Sequence, residues 1–424
     1  MYCGGDDVGA IVADFGSFSS RVGFAGEDCP RGYLPTAAGV IQSEQNDTNK
    51  VGGKEYVFDI HRYRENLSIE APIQDGLVCN WDAMEKLWEH TITTYCGRSD
   101  CNLKDTPLLL TEKPYVPLAS RHRMCETMFE KYSTPALFLS KDAVLAAYAC
   151  GKTGGLVIDV GASGTVVTPV QDGWVETKGM SRSLAGGRLI DAHISSNIFS
   201  QVRLTEPTGV QITARSDLGS VPASYAALMN LECARDIKEA LAKTADSALQ
   251  ENDPRYANIP VMPYELPDGT LVEVNIERFQ MAEVLFDPTP MVGLMGGDLA
   301  ALYGGRPSAA PGSLEGIPKI VGDAIVRSDA EMQTMLLGNM VLTGGSAAID
   351  GLSERLKAEV EMLIYQGGAA GYKTRMMSVG VSERALCPWL GGSIVASLGS
   401  FHELWVTRQE YLESGTSIID RKCP

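Results

Sequence analysis

Two short segments, 145 positions apart, constrain this chain more than any other feature. The first is Ile11-Val12-Ala13-Asp14-Phe15-Gly16-Ser17, followed by the run from Phe18 to Phe24. The second is Leu156-Val157-Ile158-Asp159-Val160-Gly161-Ala162, followed by the run from Ser163 to Val167. Each reads as a buried strand, a tight Asp-x-Gly turn and a returning strand. One such hairpin alone is ordinary turn chemistry. Two at domain-sized spacing suggest a duplicated α/β unit with two facing halves. A third signal follows in Met340-Val341-Leu342-Thr343-Gly344-Gly345-Ser346, a strand entering a glycine turn. It leads into a helix with Leu352, Leu356, Val360 and Leu363 at helical spacing and a stop at Gly367.

Glycine turns between strands expose backbone N–H groups in a concave array that binds phosphate oxygens, and a nearby serine adds a donor. Two facing hairpins can clamp a polyphosphate from both sides. The carboxylates of Asp14 and Asp159 then sit close to the phosphates and would repel them. They make sense if a hydrated Mg²⁺ or Ca²⁺ lies between them, held largely through water. Taken with Gly344 and Gly345, the hairpins point to a nucleotide cleft.

The rest of the chain fits alternating strands and helices. Asn80 can cap a helix whose apolar face is Met84, Leu87, Trp88 and Ile92. A second long helix is expected over Ala234 to Leu249, and loops over 212–224 and 304–316. The 424 residues carry 36 Lys and Arg against 53 Asp and Glu, a net charge of −17. That balance speaks against unaided binding to nucleic acid or to an anionic membrane. No apolar run reaches the roughly 18 residues that span a bilayer. The N-terminus has no basic region followed by a long apolar stretch, so a signal peptide is not expected. The ten cysteines are scattered without zinc-ligand spacing, and reduced thiols are expected. The chain reads as soluble, and cytosolic or nuclear.

Several segments carry a family resemblance. They are Gly23-Phe-Ala-Gly-Glu-Asp-Cys-Pro30, Asn80-Trp-Asp-Ala-Met-Glu-Lys86, Tyr264-Glu-Leu-Pro-Asp-Gly269, the run from Trp389 to Leu398, and Arg421-Lys-Cys-Pro424. In this order they resemble actin from about Gly9 to the C-terminus. The opening Gly4-Gly-Asp-Asp-Val-Gly9, the segment from Gly399 to Trp405 and the Lys-Cys-Pro ending resemble the nuclear actin-related protein four family. The resemblance implies an α/β, actin-like fold of the actin, hexokinase and heat-shock chaperone superfamily, with two similar halves around a nucleotide cleft. Residues 1–148 and 389–424 would form the first half, with a small subdomain at about 35–75. Residues 149–388 would form the second, with a small subdomain at about 190–280.

Site residues follow from the same resemblance. Asp14, Gly16, Ser17 and Phe18 match the first phosphate loop, and Arg21 matches a lysine that reaches the phosphates. Asp159, Gly161, Ala162 and Ser163 match the second loop. Lys238 and Glu239 match the pair that contacts ribose and base. Gly186, Gly344, Gly345 and Ser346 match turns around the nucleotide. ATP or ADP with Mg²⁺ or Ca²⁺ is the implied cofactor, with Asp14 and Asp159 holding the metal through water.

The departures from actin bear on chemistry. Phe18 replaces a glycine, Asp142 the glutamine that positions attacking water, and Val166 the histidine of the proton path. Ala162 replaces an aspartate, and Ala385 and Leu386 replace a lysine and a tyrosine near the adenine. In-line hydrolysis needs an oriented water and a route for its proton. ATP binding is therefore expected with slow or absent hydrolysis, and no catalytic residue is assigned.

The resemblance also implies partners. These are actin and the helicase–SANT-associated helix of a remodeller or scaffold subunit; the acidic charge separately suggests basic histones. No membrane and no direct sequence-specific nucleic acid is expected. Tyr148, Val395, Leu398 and Leu404 match an apolar groove that receives partner helices. The polar loop Gln42-Ser-Glu-Gln-Asn-Asp-Thr-Asn-Lys50 lacks an apolar anchor and speaks against conventional filaments. The expected role is a structural subunit of a nuclear chromatin-remodelling or histone acetyltransferase complex. A polymerising ATPase and a cytoplasmic adaptor are the alternatives.

Overall fold

The strand Leu108–Glu112 opens with three leucines, all buried, because helices cover both faces of its sheet. A computed structural model describes residues 9–42, 54–96, 103–198, 203–205, 221–250, 254–256, 258–267, 269–296, 314–367 and 372–424. The first sheet runs in the order 406–407, 136–141, 108–112, 11–15, 19–24, 32–35. The strand Ile11–Phe15 pairs antiparallel with Ser19–Phe24 and parallel with Leu108–Glu112. The second sheet runs in the order 174–175, 165–171, 155–160, 340–343, 376–377. Its strand Gly155–Val160 pairs antiparallel with Thr165–Gln171 and parallel with Met340–Thr343. Each sheet thus holds one hairpin with a parallel strand on its outer side.

The two hairpins share one register. Asp14 stands opposite Arg21, and Asp159 stands opposite Val166. Directly opposed side chains interact across a strand pair, so this single difference decides which aspartate has a partner within its own hairpin.

Two helices join the sheets. Asp142–Ala149 packs against Cys387–Ser397, and the close approach needs Gly391, where a Cβ would collide with the Leu145 carbonyl. The expected boundaries at 148/149 and 388/389 both fall inside this helix pair. Trp389 is fully buried and its indole N–H donates to the Val12 carbonyl at 2.9 Å, tying this helix to the first strand. Two small three-stranded sheets flank the main ones. One comprises Ala38–Gln42, Lys54–Val57 and Ser68–Glu70; the other comprises Arg203–Thr205, Met262–Glu265 and Leu271–Val274.

Local readings meet mixed outcomes. Asn80 caps the helix Trp81–Tyr95 by accepting from the Ala83 N–H at 3.1 Å, and Met84, Leu87, Trp88 and Ile92 are buried. The helix Leu352–Gln366 ends at Gly367, and Leu352, Leu356 and Val360 enter the core. Leu363 is exposed. The helix expected over 234–249 is instead Ala223–Leu241. It starts earlier, at residues whose apolar Tyr225, Leu228 and Met229 already stand at helical spacing. It stops where Lys243 forms a bridge with Asp350 and the Thr244 N–H donates to the Asp350 carbonyl at 2.8 Å. The expected loop 212–224 therefore already contains the helix start at its end. Residues 43–50 of the polar loop, 212–220 and 304–313 lie outside the described residues.

The Lys-Cys-Pro ending has a packing role. Cys423 is fully buried, and Arg121 donates to its carbonyl at 2.5 Å while pairing with Glu112 at 2.9 Å and Asp420 at 3.3 Å. None of the eight cysteines among the described residues is in a disulfide. No helix among the described residues is long and apolar enough to cross a membrane.

Candidate functional site

A cavity of about 680 Å³ lies between the two main sheets. The strands Ile11–Phe15, Leu108–Glu112, Ala136–Lys141, Gly155–Val160 and Met340–Thr343 all point their carboxyl ends at it. That is where open α/β sheets place their ligands. The volume suits a nucleotide-sized molecule.

The structure brings together nearly every expected site residue. Asp14, Gly16, Ser17, Phe18 and Arg21 line one wall. Asp159, Gly161, Ala162 and Ser163 line the opposite wall, with Gly344, Gly345 and Ser346 beside them. Lys238 and Glu239 reach the cavity from the helix Ala223–Leu241. Gly186 lies behind the second loop, where a Cβ would stand 2.6 Å from Gly164 Cα. Gly344 needs its glycine identity: φ is 99°, and a Cβ would meet the Val160 carbonyl and stand 2.5 Å from an Asp159 carboxylate oxygen. Its N–H donates to the Arg384 carbonyl at 3.1 Å, pinning the turn to residues 381–386. Ala385 of that segment lines the cavity.

Two serines favour an anionic ligand. Ser163 lines the cavity, and its buried Oγ has no hydrogen-bond partner among the described residues. An orphaned buried hydroxyl is costly, so it asks for a ligand atom. Ser17 Oγ accepts from the Gly76 N–H at 2.8 Å, which leaves its own O–H to donate into the cavity.

The carboxylates of Asp14 and Asp159 each already have a cationic partner within the chain. Arg21 does not reach outward: its guanidinium donates to Asp14 Oδ2 at 2.9 Å and to Ser19 Oγ at 2.9 Å. Thr111 Oγ1 donates to the other Asp14 oxygen at 2.5 Å. Asp159 has only Val166 opposite it, and its partner comes from the other sheet. Lys113 Nζ lies 2.6 Å from Asp159 Oδ2 and 2.6 Å from Asp142 Oδ2. Burial works against a charged Lys113, but Asp142 and Asp159 outweigh it and hold the ammonium well above the ordinary lysine value. Burial pushes the Asp142 carboxyl up to about 6, against the pull of Lys113. Among the described residues, no group of three or more His, Cys, Asp or Glu side chains is arranged to hold a metal ion.

Further contacts cross the cavity. Arg188 Nη2 donates to the Ser17 carbonyl at 2.9 Å, and Arg182 pairs with Asp75 at 2.5 Å. The Phe18 ring lies under the Arg235 guanidinium, 3.8 Å from its centroid, in a cation–π contact. The bulky residue of the first loop is thus absorbed by the opposite wall. Lys238 is buried and pairs with Asp191 at 2.6 Å, while Glu239 is exposed at the rim. The groove residues lie elsewhere. Leu398 and Leu404 are 49% and 47% exposed, and Tyr148 and Val395 are half-buried against the core.

The profile of the actin family matches residues 5–424. The chain belongs to the actin family. Its two hairpin-bearing sheets around one cavity are the actin-like fold. The chain is 33% identical to a protein named Actin-related protein 4 from Oryza sativa subsp. indica, with both chains covered in full. It is 32% identical to one of the same name from Arabidopsis thaliana, again over the full length of both. A third, from Emericella nidulans, is 31% identical over 99% of this chain and 97% of its own.

Within this actin-family cleft, sequence reasoning missed Lys113, Arg182 and Arg188. Lys113 left one signal: a lone cation just beyond the carboxyl end of a buried strand, in Leu108-Leu-Leu-Thr-Glu-Lys113. The partners of that cation are 29 and 46 residues away, so no local pattern reveals them.

Proposed function

We propose that this chain is an adenine-nucleotide-holding assembly subunit that turns its nucleotide over slowly or not at all. The observation that carries the reading is the fate of position 142. Asp142 has one oxygen on Lys113 at 2.6 Å and the other on the Ala143 N–H at 2.7 Å, so its carboxyl is tied to the chain's own cation and backbone rather than standing as a free base. Val166, which lines the same cavity, has no group that can relay a proton. The orphaned Ser163 hydroxyl, the open Ser17 O–H and the cavity volume support nucleotide binding.

The assembly role rests on the full-length similarity to proteins named Actin-related protein 4 and on the exposed apolar residues Leu398 and Leu404. Such a surface accepts the apolar face of an amphipathic helix. The proposed setting is a nuclear chromatin-remodelling or histone acetyltransferase complex, with actin as neighbour on a helicase–SANT-associated helix. The net charge of −17 leaves DNA contact to other subunits and favours basic histones. Affinity purification of the tagged chain from nuclear extract tests this. Actin and a remodeller or acetyltransferase scaffold should be recovered together. Recovery of filament-end or motor-cargo subunits, with no chromatin subunit, would refute it.

A further inference from the structure

We propose that Lys113 is a built-in cation that takes the place of a divalent metal in this cleft, so that the site binds its nucleotide without one. The inference rests on the nucleotide reading above and specifies how that site works. Both carboxylates that could share a hydrated dication are already neutralised by the chain. Asp14 is held by Arg21 and Thr111. Asp159 is held by Lys113, which also binds Asp142. The ammonium thus bridges two carboxylates from different elements, Asp159 at the entry to the second phosphate loop and Asp142 at the start of a helix, and lines the same cavity as both loops.

Lys113 is also preorganised. Its stem runs past the turn at Asp75 and Gly76, whose φ values of 51° and 72° give the left-handed pair of a tight hairpin. A Cβ at Gly76 would stand 2.7 Å from Lys113 Cγ, so the turn backbone walls the stem in. Tyr115, whose hydroxyl donates to the Asp75 carbonyl at 3.0 Å, fixes the same turn. Asp142 is fixed in turn by the Ala143 N–H. A dication brought to this place would have to displace a clamped ammonium or sit against it, and like charges at contact distance repel.

Two measurements on the full chain test the proposal. The first is equilibrium binding of a fluorescent ADP analogue in EDTA and in excess Mg²⁺. The second is Mn²⁺ uptake followed by electron paramagnetic resonance, without nucleotide. For the natural chain, the nucleotide affinity should agree within about twofold between the two buffers. No stoichiometric Mn²⁺ should be taken up. Lys113→Met should lose affinity about tenfold in EDTA, regain it with Mg²⁺, and take up Mn²⁺. Should Lys113→Met fail to fold, Lys113→Met with Asp142→Asn keeps the net charge of the cluster and should show the same gain of metal dependence. Nucleotide binding by the natural chain only with Mg²⁺, or stoichiometric Mn²⁺ uptake by it, overturns the proposal. If no nucleotide binds in either buffer, the nucleotide reading falls, and Mn²⁺ uptake still decides whether Lys113 displaces a metal.

Discussion

Replacing Lys113 by Met should destabilise the protein by about 3–5 kcal/mol, the usual cost of removing one partner from a buried ion pair. The structure supplies the reasons. Lys113 Nζ is 2.6 Å from each of two carboxylates, and all three side chains are largely shielded from water. At an effective dielectric of about 20, Coulomb's law gives about 6 kcal/mol of attraction per pair before desolvation is subtracted. Without the ammonium, Asp142 and Asp159 repel one another in a poorly solvated space. The assay is urea unfolding followed by tryptophan fluorescence, with a double-mutant cycle against Asp142→Asn. Asp142→Asn alone leaves the Lys113–Asp159 pair intact and should cost about 1 kcal/mol or less, in the range of an ordinary lost hydrogen bond. The double variant should be clearly more stable than the sum of the single losses. A Lys113→Met loss below about 1 kcal/mol, or strict additivity in the cycle, would refute the claim that the ammonium neutralises both acids.

Three further predictions concern the same structure. Because burial raises Asp142 from 3.8 to about 6, the folded state holds more protons than the unfolded one between those values. Stability of the natural chain relative to Asp142→Asn should therefore fall as pH rises from about 4 to about 6; a difference that is flat or rising across the window contradicts the raised value. Arg121→Ala leaves Glu112 paired with Lys141 alone and frees the Cys423 carbonyl, so a loss of about 1–3 kcal/mol is expected in chemical denaturation. Gly344→Ala forces a Cβ into the Val160 carbonyl at a φ of 99° and should cost about 1–3 kcal/mol while weakening nucleotide binding, read by the fluorescent analogue.

The hairpins were legible because Asp-x-Gly between apolar runs is local chemistry, and both turned out to frame the cavity. The loop residues followed from them. What the sequence hid was nonlocal. Arg21 lines the cavity, and only the strand register shows that it also stands opposite Asp14. Phe18 looks like an obstruction until Arg235, on a distant helix, is seen to cover its ring. Lys113 has no meaning without Asp142 and Asp159, which the fold alone brings to it. The helix Ala223–Leu241 starts before Ala234, where Tyr225, Leu228 and Met229 already carry the helical period, and it ends at Leu241 because the chain turns into a pairing with Asp350 that no local pattern reveals. Asn80, Gly367 and the apolar face around Trp88 were readable because capping and periodicity act within a few residues.

The cleft is proposed to hold an adenine nucleotide and to turn it over slowly or not at all. The most direct test loads the purified chain with ATP labelled at the γ-phosphate, removes free nucleotide, and follows bound label and released phosphate together. The account predicts one retained nucleotide per chain with its γ-phosphate in place through the time in which an actin-like ATPase would release it. Absence of bound nucleotide, or phosphate release on that timescale, would contradict it.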